Sequence, residues 1–321
     1  MSRIHDALRQ AETLGAPDRS SSVNILADPT PESIFVADAG LDHVRSVSNA
    51  GDGAETDSML QSPRDSGNLN DCSGSVDFMS ANFNELTWTA PDSKTLFFLQ
   101  PEYNYSMERE QLRTLRSRLY QLRGNQRLKT VLISSALPEE GKTFISANLA
   151  LAIGKQHGRR VLLIDADLRN PALGKLLGAP DCPGLVEYLS GEAEMMSVIQ
   201  KAPIPNLCFV SAGKSATNPA ELIGNGKLPR LIENAGELFD WIIIDSPPAV
   251  PVTDASLIAD GCDGVVLVVK ASSTDFDMAR KACSEFRRKP LLGVVLNRAL
   301  PKHLDYYYGR YNTYPAEENK G

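Results

Sequence analysis

The chain has 321 residues, of which 42% are hydrophobic and 23% charged, so it can bury one large core and still leave residues for appendages. Its formal net charge is −7, and the acids are concentrated in residues 16–100, which carry thirteen acids and four bases. The rest of the chain is close to neutral. Tight nucleic-acid binding requires clustered basic charge, so this class of function is excluded.

The cysteines and the apolar runs narrow the class of protein further. The five cysteines are odd in number and form no CxxC pair, so the sequence predicts neither a disulfide framework nor a zinc or iron–sulfur site. No run approaches the about 18 to 20 consecutive apolar residues that cross a bilayer, and the start lacks the apolar core of a signal peptide. We therefore expect a cytoplasmic protein that reaches a membrane only through a partner.

The N-terminal third of the chain is predicted to contain little regular structure. Residues 1–15 place apolar side chains at helical spacing, which predicts a short amphipathic helix. A helix of about twelve residues is marginal in water, so we expect it to fray or to dock. Residues 16–95 are rich in Ser, Asp, Asn, Gly and Pro, which predicts an acidic, disordered linker.

A charged helix with a stripe of leucines begins at Met107, within the predicted folded domain at 96–300. Beyond it, apolar strands alternate with helices. Near-continuous β-branched runs indicate strands buried on both faces, and the alternation indicates a doubly wound, mostly parallel α/β sheet. The strands are predicted at 130–136, 160–166, 207–212, 240–246, 264–270 and 291–297.

The first of these strands leads into a loop that resembles a phosphate-binding loop, or P-loop. Gly141, Lys142 and Thr143 follow the loop and open a helix. The amides at the helix start would face phosphate, the lysine would neutralise its charge, and the threonine hydroxyl would ligate Mg²⁺. Ala136 stands where the usual pattern has a glycine, and Glu139 and Glu140 add negative charge beside the phosphate site. The triplet alone therefore does not distinguish a nucleotide site from a chance match.

Two later strands end in carboxylates. Asp165 and Asp167 lie in LLIDADLR, and Asp245 lies in IIIDSPP. Ligands of open α/β sheets gather at the carboxyl ends of parallel strands, and buried carboxylates there need a cation such as Mg²⁺. A turn aspartate that caps the next helix explains either cluster by itself. The three motifs in this order favour a nucleotide and Mg²⁺ site.

Three further residues have competing interpretations. Asn297, at the end of the last predicted strand, can read the edge of adenine or form a strand-end turn. Arg169 can touch phosphate, but an ion pair at a helix start is the preferred interpretation. Asp254 is expected to cap a helix.

The C-terminal tail, residues 301–321, is crowded with tyrosines. Five of the nine tyrosines fall in the last sixteen residues, where even spreading predicts about 0.4. The segment has no regular apolar period, which predicts a mobile end; packing of the rings onto the domain is the alternative. These tyrosines are Tyr306, Tyr307, Tyr308, Tyr311 and Tyr314.

Four motifs occur in order along the chain: ALPEEGKT, LLIDADLR, IIIDSPP and, near the end, DYYYGRYNTY. Together they resemble the Walker A, Walker A′, Walker B and tyrosine cluster of bacterial tyrosine kinases, which are P-loop proteins of the MinD/ParA-like fold. The resemblance covers about Met107 to Tyr314. The opening MSRIHDALRQAE further resembles the exosortase-associated tyrosine autokinase branch of that family.

The resemblance implies an enzyme that uses ATP and Mg²⁺ to phosphorylate its own tail tyrosines, each subunit's tail entering a neighbour's active site. It also implies a role for each motif residue, although which aspartate accepts the proton stays open. Nucleotide binding falls to Glu140, Gly141, Lys142, Thr143, Phe144 and Asn297; metal binding to Thr143, Asp167 and Asp245; and catalysis to Lys142, Asp165, Asp167 and Asp245, with Asp165 as candidate base.

The resemblance also implies partners. Members of the family act in capsule and exopolysaccharide assembly, as homo-oligomers for which a ring is expected, peripheral to the inner membrane. A membrane-spanning polysaccharide co-polymerase would be the activator and a protein tyrosine phosphatase the antagonist. Glu110, Arg113 and Arg116 match the ExxRxxR pattern that assembles the ring in the family. A solvated, arginine-rich helix face explains the same spacing.

Three other classes of protein are alternatives to an active kinase. A MinD/ParA-like ATPase switch typically carries a second lysine four residues before Gly141, where this chain has Leu137, and often ends in a basic amphipathic helix. An iron–sulfur carrier would need a CxxC pair. A kinase-like scaffold with weakened catalysis stays open, because Ala136 and Glu139 depart from the glycine-rich pattern.

Overall fold

The structure is a computed structural model that describes residues 33–38, 87–92, 94–100, 106–156, 158–180 and 183–299. The predicted N-terminal helix, most of the predicted linker and the tyrosine-rich tail therefore lie outside the described residues. The strands are β1 (Ser33–Asp38), β2 (Thr130–Ser135), β3 (Val161–Asp165), β4 (Gln200–Lys201), β5 (Leu207–Val210), β6 (Trp241–Asp245), β7 (Gly264–Lys270) and β8 (Leu291–Ala299).

Helices connect the strands and cover both faces of the sheet. The helices are α1 (Met107–Asn125), α2 (Lys142–Gly154), α3 (Leu173–Leu177), α4 (Leu185–Ser190), α5 (Met195–Val198), α6 (Pro219–Gly224), α7 (Lys227–Leu238), α8 (Asp254–Ala259) and α9 (Phe276–Glu285), with a 3-10 turn at Phe97–Leu99. No helix within these described ranges is long and apolar enough to cross a membrane.

All the described strands form one sheet in the order β1-β8-β7-β2-β6-β3-β5-β4. The six inner strands run parallel, and only the outermost pairs, β1 with β8 and β4 with β5, are antiparallel. The predicted doubly wound, mostly parallel α/β sheet is thus confirmed. The connection that follows β2 leads to β3 on one side of β2, and the connection that follows β6 leads to β7 on the other side. The strand order therefore reverses next to β2, and ligands of such sheets bind at this switch point.

The core lies in two layers, one on each face of the sheet. Ile242 and Ile244 of β6 belong to one apolar cluster, whereas Trp241 and Ile243 belong to the other. Successive side chains of a strand point to opposite faces, so both faces of β6 are buried. This double burial explains why the central strands read as continuous apolar runs.

Described residues just before 96, the predicted start of the folded domain, also form hydrogen bonds with that domain. The Thr89 amide donates to the Gly178 carbonyl at 2.8 Å, which ties this segment to the end of α3. Further along, Asn148 of α2 accepts from the Phe97 amide at 3.0 Å and donates to the Thr95 carbonyl at 3.1 Å. The segment before α1 is therefore fastened to the helix that follows the P-loop.

Strand β1 lies within the segment that the sequence predicts as linker. It pairs along β8 from Ser33 opposite Ala299 to Asp38 opposite Gly293. This strand was not predicted from the sequence, because a pattern of six residues within an acidic, serine-rich region is too short to indicate one.

Candidate active site

The P-loop places a left-handed glycine at the start of α2. Gly141 has a φ of +94° and precedes Lys142, the first residue of the helix. A Cβ at this position would lie 2.0 Å from Nδ2 of Asn297. Both the backbone angle and the close approach therefore require glycine, and the amides at the start of α2 are presented at the carboxyl end of β2.

Asn297 and Glu140 stabilise the P-loop through side-chain hydrogen bonds. Nδ2 of Asn297 donates to the Glu140 carbonyl at 2.9 Å. The buried Glu140 carboxylate accepts from the Leu137 amide at 2.8 Å and from the Thr274 hydroxyl, and burial raises the pKa of Glu140. The side chains of both residues thus contact the loop itself, and the adenine-reading role of Asn297 stays a prediction.

Lys142 is the cation at the centre of the site. Its Nζ lies 2.7 Å from Oδ2 of Asp167, 3.3 Å from the Thr143 hydroxyl and 4.0 Å from Oδ2 of Asp245. Burial by itself would lower the pKa of Lys142, but Asp245 and Asp167 outweigh it and raise that pKa above its usual value. The lysine therefore stays charged where phosphate would bind.

Asp245 ends β6 directly beneath the start of α2. It is fully buried, and its carboxylate accepts from the Thr143 hydroxyl at 2.7 Å and from the Ser146 hydroxyl at 3.0 Å. Burial raises the pKa of Asp245, while Lys142 and the two hydroxyls counter the rise. Ser146 was missed in the sequence, although its position one turn after Thr143 puts it on the same helix face.

Asp165 ends β3 and is paired with Asp245 in the register of the two strands. Its carboxylate accepts from the Asp167 amide at 3.3 Å and the Leu173 amide at 3.0 Å. Burial, followed by the charge of Asp245, raises the pKa of Asp165 to about 8. The structure thus brings the three predicted aspartates and Lys142 together at one edge of the sheet.

Two cavities adjoin this cluster. One has a volume of about 520 Å³ and the other about 730 Å³, both within the size range of ligand sites. Lys175 lines both of them. The smaller, which we call the P-loop cavity, is lined by Asp92, Thr95, Glu139, Gly141, Lys142, Thr143, Phe144, Ala172, Lys175, Leu176 and Arg298. The larger, the Asp165 cavity, is lined among others by Asp165, Pro171, Gly174, Lys175, Pro183, Ser211 and Lys214.

The segment after β3 is tied to α8 by a bidentate ion pair. Nε and Nη2 of Arg169 lie 2.7 Å and 3.0 Å from the two carboxylate oxygens of Asp254, which is fully buried. The preferred interpretation of Arg169 as an ion-pair residue is therefore confirmed. The capping prediction for Asp254 is wrong: Thr253 holds the cap position of α8, and the Asp254 carboxylate is engaged by the arginine.

The ExxRxxR residues lie along α1 but have different surroundings. Glu110 and Arg113 pair at 3.0 Å on an exposed face. Arg116 instead donates to the Ala152 carbonyl of α2 at 2.7 Å. Glu110 and Arg113 thus lie on the surface, whereas Arg116 ties α1 to α2 of the same domain, and the predicted oligomerisation role of the three residues stays a prediction. The predicted phosphate acceptors on the tail lie outside the described residues.

The chemistry of the donor set fits Mg²⁺ and a nucleotide. Mg²⁺ prefers oxygen ligands and is usually held by one or two carboxylates together with substrate phosphates. Thr143 and Asp245, joined by a hydrogen bond, and Asp167 beside Lys142 supply hydroxyl and carboxylate oxygens. The helix start and Lys142 complete the site with positive charge for phosphate.

Comparisons with known proteins agree with this geometry. The family model described as the CobQ/CobB/MinD/ParA nucleotide binding domain matches residues 132–308, more than half of the chain. The tyrosine-protein kinase YwqD of Bacillus subtilis is 35% identical over 208 residues, covering 64% of this chain and 87% of that protein. The tyrosine-protein kinase CpsD of Streptococcus agalactiae is 36% identical over 195 residues, covering 60% and 84%. The chain belongs to the bacterial tyrosine kinase family.

Comparison of this bacterial tyrosine kinase with solved structures gives the same family. The kinase domain of the Escherichia coli tyrosine kinase ETK is 26% identical with a TM-score of 0.61, covering 74% of this chain and 87% of that one. The chimerical protein CapA2B2 is 28% identical with a TM-score of 0.60, covering 69% and 96%. The predicted family, the MinD/ParA-like nucleotide-binding fold and the tyrosine-kinase class are thereby confirmed.

Proposed function

We propose that this tyrosine kinase is an ATP-dependent autokinase that phosphorylates its own tail, with transfer between subunits. The observation that carries the proposal is the convergence of Lys142, Asp167 and Asp245 at the start of α2, next to a second cavity that Asp165 lines. A nucleotide site and an acceptor site are the two parts that phosphoryl transfer needs. The acceptors in the proposal are Tyr306, Tyr307, Tyr308, Tyr311 and Tyr314.

On the nucleotide side, the residues neutralise and position phosphate. The amides after Gly141 donate to phosphate oxygens, and Lys142 offsets their charge. Thr143, Asp167 and Asp245 would hold Mg²⁺, which would supply further neutralisation of phosphate charge. Asn148, within α2, forms hydrogen bonds to the 94–100 segment, and these bonds hold the helix and its start in place. Fixed positioning, together with electrostatic stabilisation, accounts for most of the catalysis in phosphoryl transfer.

On the acceptor side, the Asp165 cavity receives the phenol of an incoming tyrosine. The phenol oxygen forms a bond to the γ-phosphorus, the bond between that phosphorus and the bridging oxygen of ATP breaks, and ADP leaves. The phenol proton passes to a carboxylate within reach. Asp165 is our choice for this base because, of the three aspartates, it is the one that lines the acceptor-side cavity.

Transfer between subunits requires an oligomer, and the exposed Glu110 and Arg113 of α1 offer a contact surface for one. We extend the proposal to a ring of subunits at the cytoplasmic side of the inner membrane. A membrane-spanning polysaccharide co-polymerase would activate it, a phosphatase would reverse the reaction, and the output would be control of exopolysaccharide or capsule assembly and export. This extension rests on the resemblance of the sequence motifs to the family.

The test is phosphotyrosine formation by the purified full chain. We expect label from ATP and Mg²⁺ on tyrosine, and none when Lys142→Met is present in every subunit. Absence of phosphotyrosine in the unsubstituted chain, with the cytosolic segment of a co-polymerase added, would contradict the proposal.

A further inference from the structure

Arg298 is a cation of the P-loop cavity to which the sequence motifs assign no role. It is the penultimate residue of β8, it is half-buried, and it lines the P-loop cavity together with Gly141, Lys142 and Thr143. The residue before it, Asn297, is the one that braces the P-loop. Arg298 therefore lies on the β8 side of the cavity in which the proposed nucleotide binds.

The backbone at Arg298 adopts a conformation that side chains disfavour. Its φ is +60°, in the left-handed region where the Cβ of an ordinary residue crowds the backbone. Asparagine and glycine are the residues that occupy this region most readily. A long, charged side chain at such a position is retained against a conformational cost.

The strained residue coincides with a β-bulge. Ser33 of β1 pairs with Ala299 and Phe35 pairs with Leu296, so two steps along β1 correspond to three along β8. The extra residue lies between Leu296 and Ala299, where Arg298 is located. In the common bulge of this kind, the left-handed position belongs to glycine, and bulges near active sites change the direction of a side chain.

We propose that Arg298 is a nucleotide-binding residue and that the bulge exists to bring its guanidinium to the P-loop cavity. Strained residues persist where they clamp ligands, because the surrounding structure holds them in place. Here the preceding residue is held on both sides: Nδ2 of Asn297 donates to Glu140, and its carbonyl accepts from the Ala271 amide at 2.8 Å. Arg298 is thus fixed relative to the loop that binds phosphate.

The chemistry of the guanidinium suits a nucleotide in two ways. It is always charged and planar, so it can pair with phosphate oxygens in a bidentate manner or stack on the face of a purine. Both contacts belong to the same ligand. This inference rests on the proposed ATP binding and adds to it a contact from β8.

The experiment uses Arg298→Asn and Arg298→Gly in the full chain, because both residues tolerate the left-handed backbone. We expect thermal unfolding midpoints equal to or above that of the unsubstituted chain, since strain is relieved. At the same time, we expect the dissociation constant for ATP to rise by roughly tenfold, the loss of one charge-assisted contact. Arg287→Asn, at an exposed arginine after α9, is the matched control and should change neither.

The outcomes separate this inference from the proposed function. Equal losses of affinity for ATP and inorganic triphosphate would support a contact to phosphate, and a loss for ATP alone would support a contact to the nucleoside. Unchanged ATP affinity in both variants would overturn the inference. If Lys142→Met loses ATP binding in the same assay, the proposed nucleotide site would still be supported. An unsubstituted chain that binds no ATP would overturn the proposed function and, with it, this inference.

Discussion

Lys142 Nζ lies 2.7 Å from Asp167 Oδ2, and this contact joins the P-loop to the segment after β3. The lysine is 11% exposed and the aspartate 3%, so the pair is shielded from solvent. Two further buried carboxylates, Asp165 and Asp245, depend on the same cation. The site is therefore a compact group of one positive and three potentially negative side chains, which phosphate and Mg²⁺ would complete.

Substitution of Lys142 by methionine should abolish autophosphorylation and also weaken the fold. Breaking a buried ion pair leaves uncompensated charge, which costs about 3–5 kcal/mol of the free energy of unfolding. Urea denaturation and phosphotyrosine labelling measure the two effects. Lys281→Met, at an exposed position of α9, is the control and should leave both unchanged. Labelling at the unsubstituted rate in Lys142→Met would place the site elsewhere.

Gly141→Ala should destabilise the P-loop in a way that Asn297→Ala partly reverses. The backbone angle alone costs about 1–2 kcal/mol, and the new Cβ would also lie against Nδ2 of Asn297. Truncation of Asn297 removes the overlap but leaves the backbone cost, so the double variant should be more stable than the sum of the single effects predicts. Denaturant unfolding of all four chains measures this coupling. Simple additivity would contradict the contact.

Arg169→Ala should lower the free energy of unfolding by about 2 kcal/mol, because it leaves the buried Asp254 carboxylate without its bidentate partner. The matched control is Arg280→Ala, which breaks the Arg280–Asp277 pair on α9. Both of its members are exposed, so its loss should change stability by less than about 0.5 kcal/mol. Equal effects of the two substitutions in urea denaturation would refute the structural role of the first pair.

Transfer between subunits predicts that an inactive chain can still be labelled. A Lys142→Met chain with an intact tail, mixed with a catalytically intact chain that lacks residues 301–321, should acquire phosphate on its own tail. The rate should rise with the concentration of the active chain. A Lys142→Met chain that stays unlabelled across all mixing ratios would show that each active site serves only its own tail.

The sequence predicts the central sheet well and its surroundings less well. Strands β2, β3, β5, β6, β7 and β8 were predicted within three residues at each end, because burial on both faces gives each an uninterrupted apolar run. The two antiparallel edge strands were not predicted. Strand β4 has two residues, and β1 is an isolated segment in an acidic region, so neither carries a periodic pattern.

The candidate site divides in a similar way. Lys142, Asp165, Asp167 and Asp245 could be named because each ends or closely follows an apolar strand or opens a helix, where the sheet brings ligands together. Ser146 could have been predicted from its spacing of one helical turn after Thr143. Arg298 could not, since its role depends on the conformation of a β-bulge. The loop contact of Asn297 and the ion pair of Asp254 likewise depend on residues more than 80 positions away along the chain.

The decisive measurement for the proposed autokinase function is mass-spectrometric mapping of phosphate after the full chain is incubated with ATP and Mg²⁺. We expect phosphotyrosine within residues 306–314 and its loss when the five tail tyrosines are replaced by phenylalanine. We expect none in the Lys142→Met chain. Phosphate confined to other residues, or a fully unmodified tail in the presence of the cytosolic segment of a co-polymerase, would contradict the proposed function.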